Sequence, residues 1–415
     1  MNLLSSKFLS IYLLTILIVF IPFINSFSLI DDNINQFLNY TSLVICLCIF
    51  FLNRNKIISK EILIFLLITV IFLIINYLFT DYASFKWLIN WLGFLVILTS
   101  TYLIFFNFNY EKLNLLNKFV KKNLFILIIF FSILNIYLII QNYNLILNFF
   151  KNGDFNQIIS LYMFDYGLYK QKFGFFMIIF LLFPFIFKNE IKKVSYFFLL
   201  LSLLLFLPIF IGIRSLLLGL SLFCILFFYS KTSSHMRFLI FLFLLLVIVL
   251  FFAFIDYKIF LTNLYEFSEP RSNLFLASLY ILDLNILGIG NGGFANFVNE
   301  NQFFLLNNFG SEKMIAQKTF PNSPESDLIF FISSWGILSL FFFYIILRII
   351  IKSFNLLLNY SENITCVEKL LITSTIILFF MGISEDFNSL VVWWIFAGTS
   401  LGIIDRYENK LIKKL

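Results

Sequence analysis

Long apolar runs alternate with short polar interruptions along this chain, and the runs recur at the length of a membrane-crossing helix. About 20 consecutive apolar residues span the hydrocarbon core as a helix. Twelve candidate spans of this kind fall at about 8–30, 37–52, 62–80, 87–108, 124–140, 173–187, 194–211, 215–230, 238–255, 328–347, 370–384 and 388–404. The pattern predicts an all-α, polytopic membrane bundle that forms a single integral domain over 1–415. The first run is too long for a signal peptide, and "INSFSL" offers no small-residue cleavage pattern. Pro22, Pro184, Pro208 and Gly219 lie inside spans, where neighbouring helices can satisfy a loosened backbone.

Most interruptions are short. Two are not, at about 141–172 and about 256–327. Long connections in a compact protein are functional or disordered. Both of these are rich in Phe, Leu, Ile and Tyr rather than in charge and Pro, which points to folded segments. They are expected to hold helices lying along the membrane interface and capping the bundle.

Charge then orients the bundle. With the N-terminus inside, 20 of the 29 Lys and Arg residues fall in cytoplasmic segments and 9 on the other side. Excess Lys and Arg marks the cytoplasmic loops, so both termini are expected inside and both long loops outside. Composition agrees with the class, at 61% hydrophobic and 12% charged against roughly 25% charged in soluble domains. The net charge of +7 is therefore topology signal, and no basic, aromatic-interleaved soluble segment is present to bind nucleic acid. Cys46, Cys48 and Cys224 fall within spans and Cys366 in a cytoplasmic loop. None is placed for an extracytoplasmic disulfide, and a single His cannot complete a Cys/His zinc site.

Against this background a few polar positions stand out. In "PRSNLFLASLYILDLNILGIGNGGF", residues 270–294, Pro270 suits a first helical turn and Gly288 a helix stop. The intervening run is too interrupted to cross the bilayer and is expected to lie along the interface. Arg271 would stand at the helix N-terminus, where guanidinium and backbone N–H groups converge on an anion. The other reading is an exposed interfacial arginine meeting lipid phosphate. Gly288, Gly290 and Gly293 match the spacing of a dinucleotide-binding fingerprint, but that spacing has meaning only between a strand and a helix of a βαβ unit. A tight turn whose backbone approaches a ligand or another helix is the better reading.

Arg214 interrupts "LPIFIGIRSLLLGLSLFCILFF" with no polar loop around it. A buried, unpaired arginine there costs at least about 2.5 kcal/mol, so it needs an anion: a headgroup, a protein carboxylate or a substrate. In "KTFPNSPESDLIFFISSWGILSLFFFYIIL", residues 318–347, Asn322, Glu325 and Asp327 precede the tenth span. Asp327 reads as a solvated charge capping that helix. Glu325 is less easily a cap, and a carboxylate beside an apolar wall can serve as a general base. Glu385 and Asp386, at the outer end of the eleventh span, either join this group or mark a loop. His235 lies in the basic loop "KTSSHMR" without a carboxylate or serine partner.

An arginine between outer span halves, a second opening the large loop, and "NILGIGNGGF" followed by "SPESDLIFFISSWGILSLFFF" together resemble the O-antigen polymerase (Wzy) and O-antigen ligase superfamily of bacterial envelope glycan assembly. The resemblance covers about 200–347; elsewhere it is one of composition. The ligase branch carries a histidine just ahead of the tenth span, where this chain has "NSPESDL", so the polymerase branch is the nearer likeness. The resemblance implies a metal-independent glycosyltransferase of the bacterial inner membrane, without a cofactor, that joins undecaprenyl-pyrophosphate-linked repeat units into a surface polysaccharide. It implies a lipid-linked glycan donor and acceptor as partners, with a chain-length regulator and a flippase nearby. Arg214, Arg271, Gly288, Gly290 and Asn322 are then the expected substrate contacts, and Glu325 or Asp327 the expected base. The alternatives are a ligase-type transferase and a lipid-linked sugar transporter. Transporters show repeat symmetry, and none is visible between 1–190 and 191–415.

Overall fold

The computed structural model describes residues 3–25, 32–52, 60–141, 170–193, 195–196, 214–231, 272–290, 292–321, 326–359, 363–383 and 391–412. They form helices joined by turns, with no strand among the described residues. Three helical segments are long and apolar enough to cross a membrane: Ile62–Phe79, Phe85–Phe106 and Asp327–Asn359. Shorter apolar helices pack around them.

Helix α1 (Leu3–Thr15) widens into a π turn, Ile16–Phe20, and continues as α2 (Ile21–Asn25). The widening has a local cause. Pro22 has no N–H for the carbonyl four residues back, and its ring would strike that carbonyl in a regular helix. Helices α3 (Asp32–Leu52), α4 (Lys60–Phe79) and α5 (Phe85–Phe106) follow. On α4 the side chains of Leu63, Leu67, Ile71, Ile74 and Leu78 are exposed along one face. In water such a stripe invites association, whereas against lipid it is an ordinary contact surface.

Helix α6 runs from Tyr110 to Gln141, so it begins well before the span expected from 124. The polar stretch ahead of that span is amphipathic rather than a loop. Leu113, Leu116, Val120 and Leu124 are buried at helical spacing, while the lysines between them face outward or pack partly. Helices α7 (Lys170–Ile186) and α8 (Arg214–Lys231) come next. The expected spans at 194–211 and 238–255 lie almost wholly outside the described residues, as does most of the loop at 141–172.

Within the long loop expected at 256–327, the described residues hold three helices joined by turns: α9 (Ser272–Leu284), α10 (Phe294–Phe309) and α11 (Glu312–Gln317). Leu274, Ile281, Phe294, Val298 and Met314 form a small core of their own that takes in Ile329 from the next helix. Then come α12 (Asp327–Trp335), a 3-10 turn at Gly336–Leu338, α13 (Ser339–Asn359), α14 (Cys366–Met381) and α15 (Val391–Ile412).

The main core centres on α5 and α15. Gly398 and Gly402, four residues apart on α15, lie against α5 so closely that a Cβ would run into the backbone of Leu98 or Tyr102. Small residues at that spacing let two membrane helices approach and gain dispersion contacts along their length. Above this seam Trp91 is surrounded by rings, with Trp335 and Trp394 both 5.0 Å away and Phe330 stacked at 6.2 Å between centroids. The Thr375 hydroxyl shares a 2.7 Å hydrogen bond with that of Ser400, joining α14 to α15.

Candidate functional site

At one end of the bundle the chain between α9 and α10 crosses the tenth apolar segment where that segment breaks. The break is at Gly336, with φ of +56°, and on the other side Gly288 and Gly290 have φ of +75° and +94°. Left-handed backbone of this kind is open to glycine and strained for other residues. A Cβ on Gly288 would come within 2.6 Å of the Ser333 carbonyl oxygen. The two backbones touch, and glycine is what lets them.

Hydrogen bonds hold the contact. Ile289 N–H donates to the Ser333 carbonyl at 2.9 Å, Gly290 N–H to that of Ser334 at 3.1 Å, and Ile337 N–H to that of Ile286 at 2.8 Å. A broken helix leaves carbonyls and N–H groups without intrahelical partners, and the glycine turn supplies them. The Asn76 side chain of α4 adds a third element, donating to the Ser334 carbonyl at 2.8 Å and to the Leu287 carbonyl at 3.2 Å. Asn76 is a polar residue in the otherwise apolar "FLIINYLF". A polar side chain inside a span is the signal that marks it.

The glycine turn was expected to approach a ligand or a helix. What it approaches here is a helix. Gly288 N–H donates to the Asn285 carbonyl at 2.8 Å and Gly290 N–H to Ser334, so both donors are engaged within the protein. Gly288 and Gly290 thus act by fixing the path of the loop. Beyond them, Gly292 and Gly293 lie against Trp87 and Tyr82. The Tyr82 hydroxyl donates to the Glu300 carboxylate at 2.6 Å, clipping α10 to the turn between α4 and α5. That hydrogen bond, with a smaller contribution from burial, holds the Tyr82 phenol above its ordinary range.

Asp327 begins α12 at the same end, with a different role from the solvated cap expected of it. Ser326 is the cap, its hydroxyl accepting from Ile329 N–H at 3.1 Å. Asp327 is 7% exposed, its carboxylate lies against Gly382, and its N–H donates to the Gly382 carbonyl at 2.9 Å. The start of the tenth segment is therefore tied to the end of α14. Serine satisfies the orphan N–H, so Asp327 is not the cap of this helix.

Arg214 is the first residue of α8. Gly219 packs on Ile377 and Met381 of α14, and Phe223 stacks on Phe354 of α13. This register sets the start of α8 at the same end of the bundle as Asp327. Arg271, Asn322, Glu325, Glu385, Asp386 and His235 lie outside the described residues. Among the described residues no group of three His, Cys, Asp or Glu side chains is arranged to hold a metal ion.

The opposite end is built from charges. Glu368, wholly buried, pairs with the Arg406 guanidinium, which also donates to the Phe105 carbonyl at 3.1 Å. Its other carboxylate oxygen accepts from Thr365 N–H at 2.9 Å and from the Thr365 hydroxyl at 2.8 Å. Tyr102 donates to Asp405 at 3.0 Å. Arg406 follows the last expected span, 388–404, yet it is 4% exposed, because α15 continues to Ile412 and carries it along the bundle. Comparison with protein-family models, curated proteins and solved structures finds no match for the chain.

Proposed function

We propose that the protein is a multi-pass glycosyltransferase of the bacterial inner membrane that polymerises undecaprenyl-pyrophosphate-linked repeat units into O-antigen or a similar surface polysaccharide. In this reading it has about twelve spans, both termini face the cytoplasm, and α9–α11 cap the outer face. The observation that carries it is the glycine turn locked onto the broken tenth segment, at the end of the bundle where α8 starts at Arg214 and where Asp327 is buried. Lipid-linked substrates need such a place at the membrane surface: a fixed backbone frame, cations beside it, and a carboxylate shielded from bulk water.

The chemistry is a single displacement. A carboxylate, Glu325 or Asp327, takes the proton of the acceptor hydroxyl. The new bond forms between that oxygen and the anomeric carbon of the donor. The bond from the anomeric carbon to the pyrophosphate oxygen breaks, with inversion, and the electron pair leaves on pyrophosphate. Arg214 and Arg271 stabilise that charge, which two guanidinium groups do best where the dielectric is low. Asn322 lies between the loop and the carboxylates in sequence and is assigned to the glycan.

Polymer formation in cells tests this directly. Arg214→Ala and Arg271→Ala should each abolish polymer ladders while the protein still inserts, and Lys should restore them only in part because it lacks the planar fork. Glu325→Gln should lower turnover by roughly 10²–10⁴-fold if Glu325 is the base, with Asp327→Asn milder. A dead Asp327→Asn beside a near-normal Glu325→Gln moves the base to Asp327. Full ladders from both alanine variants would sink the reading. A reporter fused after residue 300 should be active outside the cytoplasm, and one fused after residue 190 should not.

A further inference from the structure

At the charged end, away from the glycine turn, α4 and α13 meet through Phe65 stacked on Phe341 at 5.5 Å and leave beside these rings a groove of about 500 Å³, lined also by Leu401 of α15. Its walls are apolar, with Phe65, Ile68, Phe341 and Ile345 among them. Arg348 and Lys352 close one end. They are four residues apart on α13 and so lie on the same helix face. Exposed Ile64 and Tyr344 form the rim.

The groove combines two chemistries in one order: an apolar channel, then two cations at its mouth. An acyl chain matches the first and a phosphate the second, because a guanidinium offers a phosphate two parallel donors and an ammonium adds a point charge. We propose that this groove holds one anionic phospholipid, its headgroup phosphate between Arg348 and Lys352 and an acyl chain along Ile68 and Phe341. A zwitterionic lipid would fill the channel equally well but would gain less at the mouth. The surroundings add a further condition. Lys352 is paired at 2.7 Å with Glu408, and both side chains are partly exposed. An exposed pair of this kind is weakly held, so the phosphate competes with Glu408 for the ammonium. The proposal rests only on the chain lying in a membrane and is independent of the glycan reading.

The full-length protein, purified in a neutral detergent and offered equimolar phosphatidylglycerol and phosphatidylethanolamine, tests this by native mass spectrometry. Wild type should retain one phosphatidylglycerol with a preference of about tenfold, the scale expected for two basic side chains meeting an anionic headgroup. Arg348→Gln combined with Lys352→Gln should bring the preference close to parity. Glu408→Gln changes a partly exposed side chain, and by freeing Lys352 it should raise phosphatidylglycerol retention. Equal retention of the two lipids by wild type overturns the proposal, whatever the variants do. So does an undiminished preference in the double variant, or displacement of the lipid by glycerol phosphate alone, which would mark a free-phosphate site.

Discussion

The two ends of the bundle are held together in opposite ways. At one end the contacts run mainly backbone to backbone: the 285–290 turn against the break at Gly336, bridged by the Asn76 side chain. At the other they run side chain to side chain through Glu368, Arg406, Asp405, Tyr102, Glu190 and Lys121. A backbone lock asks little of side chains beyond Asn76 and the Tyr82–Glu300 clip. The buried charge pair commits its side chains entirely. Among the described residues, the end with the glycine lock is thus the one with the fewer structural charges.

Breaking the charged end should have the largest effect. Glu368→Gln or Arg406→Leu removes one partner of a buried pair and leaves the other charge uncompensated, a loss of about 3–5 kcal/mol. Thermal unfolding in detergent should show it as a large drop in midpoint. Replacing both partners with apolar residues should restore much of that loss, since the desolvation of two charges is removed along with their attraction. A single variant that unfolds like wild type would mean that the pair does not organise this end.

The backbone lock should be softer and more local. Gly288→Ala and Gly336→Ala each force a side chain into left-handed backbone and against a neighbouring main chain, costing about 1–3 kcal/mol. Hydrogen exchange should rise at 285–290 and 333–338 while 398–406 stays protected. Asn76→Leu removes two donors to buried carbonyls, a loss of about 1–2 kcal/mol, and should show the same pattern more weakly. Uniform loosening of both ends by Gly288→Ala would erase the distinction between them.

The sequence disclosed the all-helical class and most helices among the described residues because apolar runs and their period are local properties. Amphipathic α6 was misplaced at its start for a physical reason: the lysines flanking Val120 read as a loop, although one face of the same stretch is buried. The glycines at 288 and 290 announced a close approach. Their partner at Gly336 lies almost 50 residues on, and pairing across that distance is a tertiary fact that no local pattern carries. Asp327 looked like a cap because carboxylates favour helix starts, but the preceding Ser326 does that work. Arg406 follows the last apolar run, and only the packing of α15 on α5 reveals that it is buried.

The smallest expected effect sharpens the comparison at its edge. Glu190 caps the charged end from the short connection after α7, accepting from Asn117 at 2.8 Å and from Lys121 at 3.0 Å. Burial pushes its carboxyl upward, but the hydrogen bonds from Lys121, Asn117 and Cys366 outweigh that and leave it below its ordinary value of 4.5. A carboxylate lowered on folding adds stability that is fully present above the unfolded value and is lost as pH falls through the folded one. Both members of the pair are about a third exposed, so solvent screening keeps the contribution to roughly 0.2–1 kcal/mol. The difference in unfolding midpoint between wild type and Glu190→Gln should therefore be small and constant from neutral pH to about pH 5, then shrink as the wild-type carboxyl takes up its proton. High salt should reduce it at neutral pH, whereas the loss in Glu368→Gln, screened from solvent, should persist. A Glu190 effect as large and as salt-resistant as that of Glu368 would mean that the charged end is one buried network reaching to its surface, and not a buried pair with a solvated fringe.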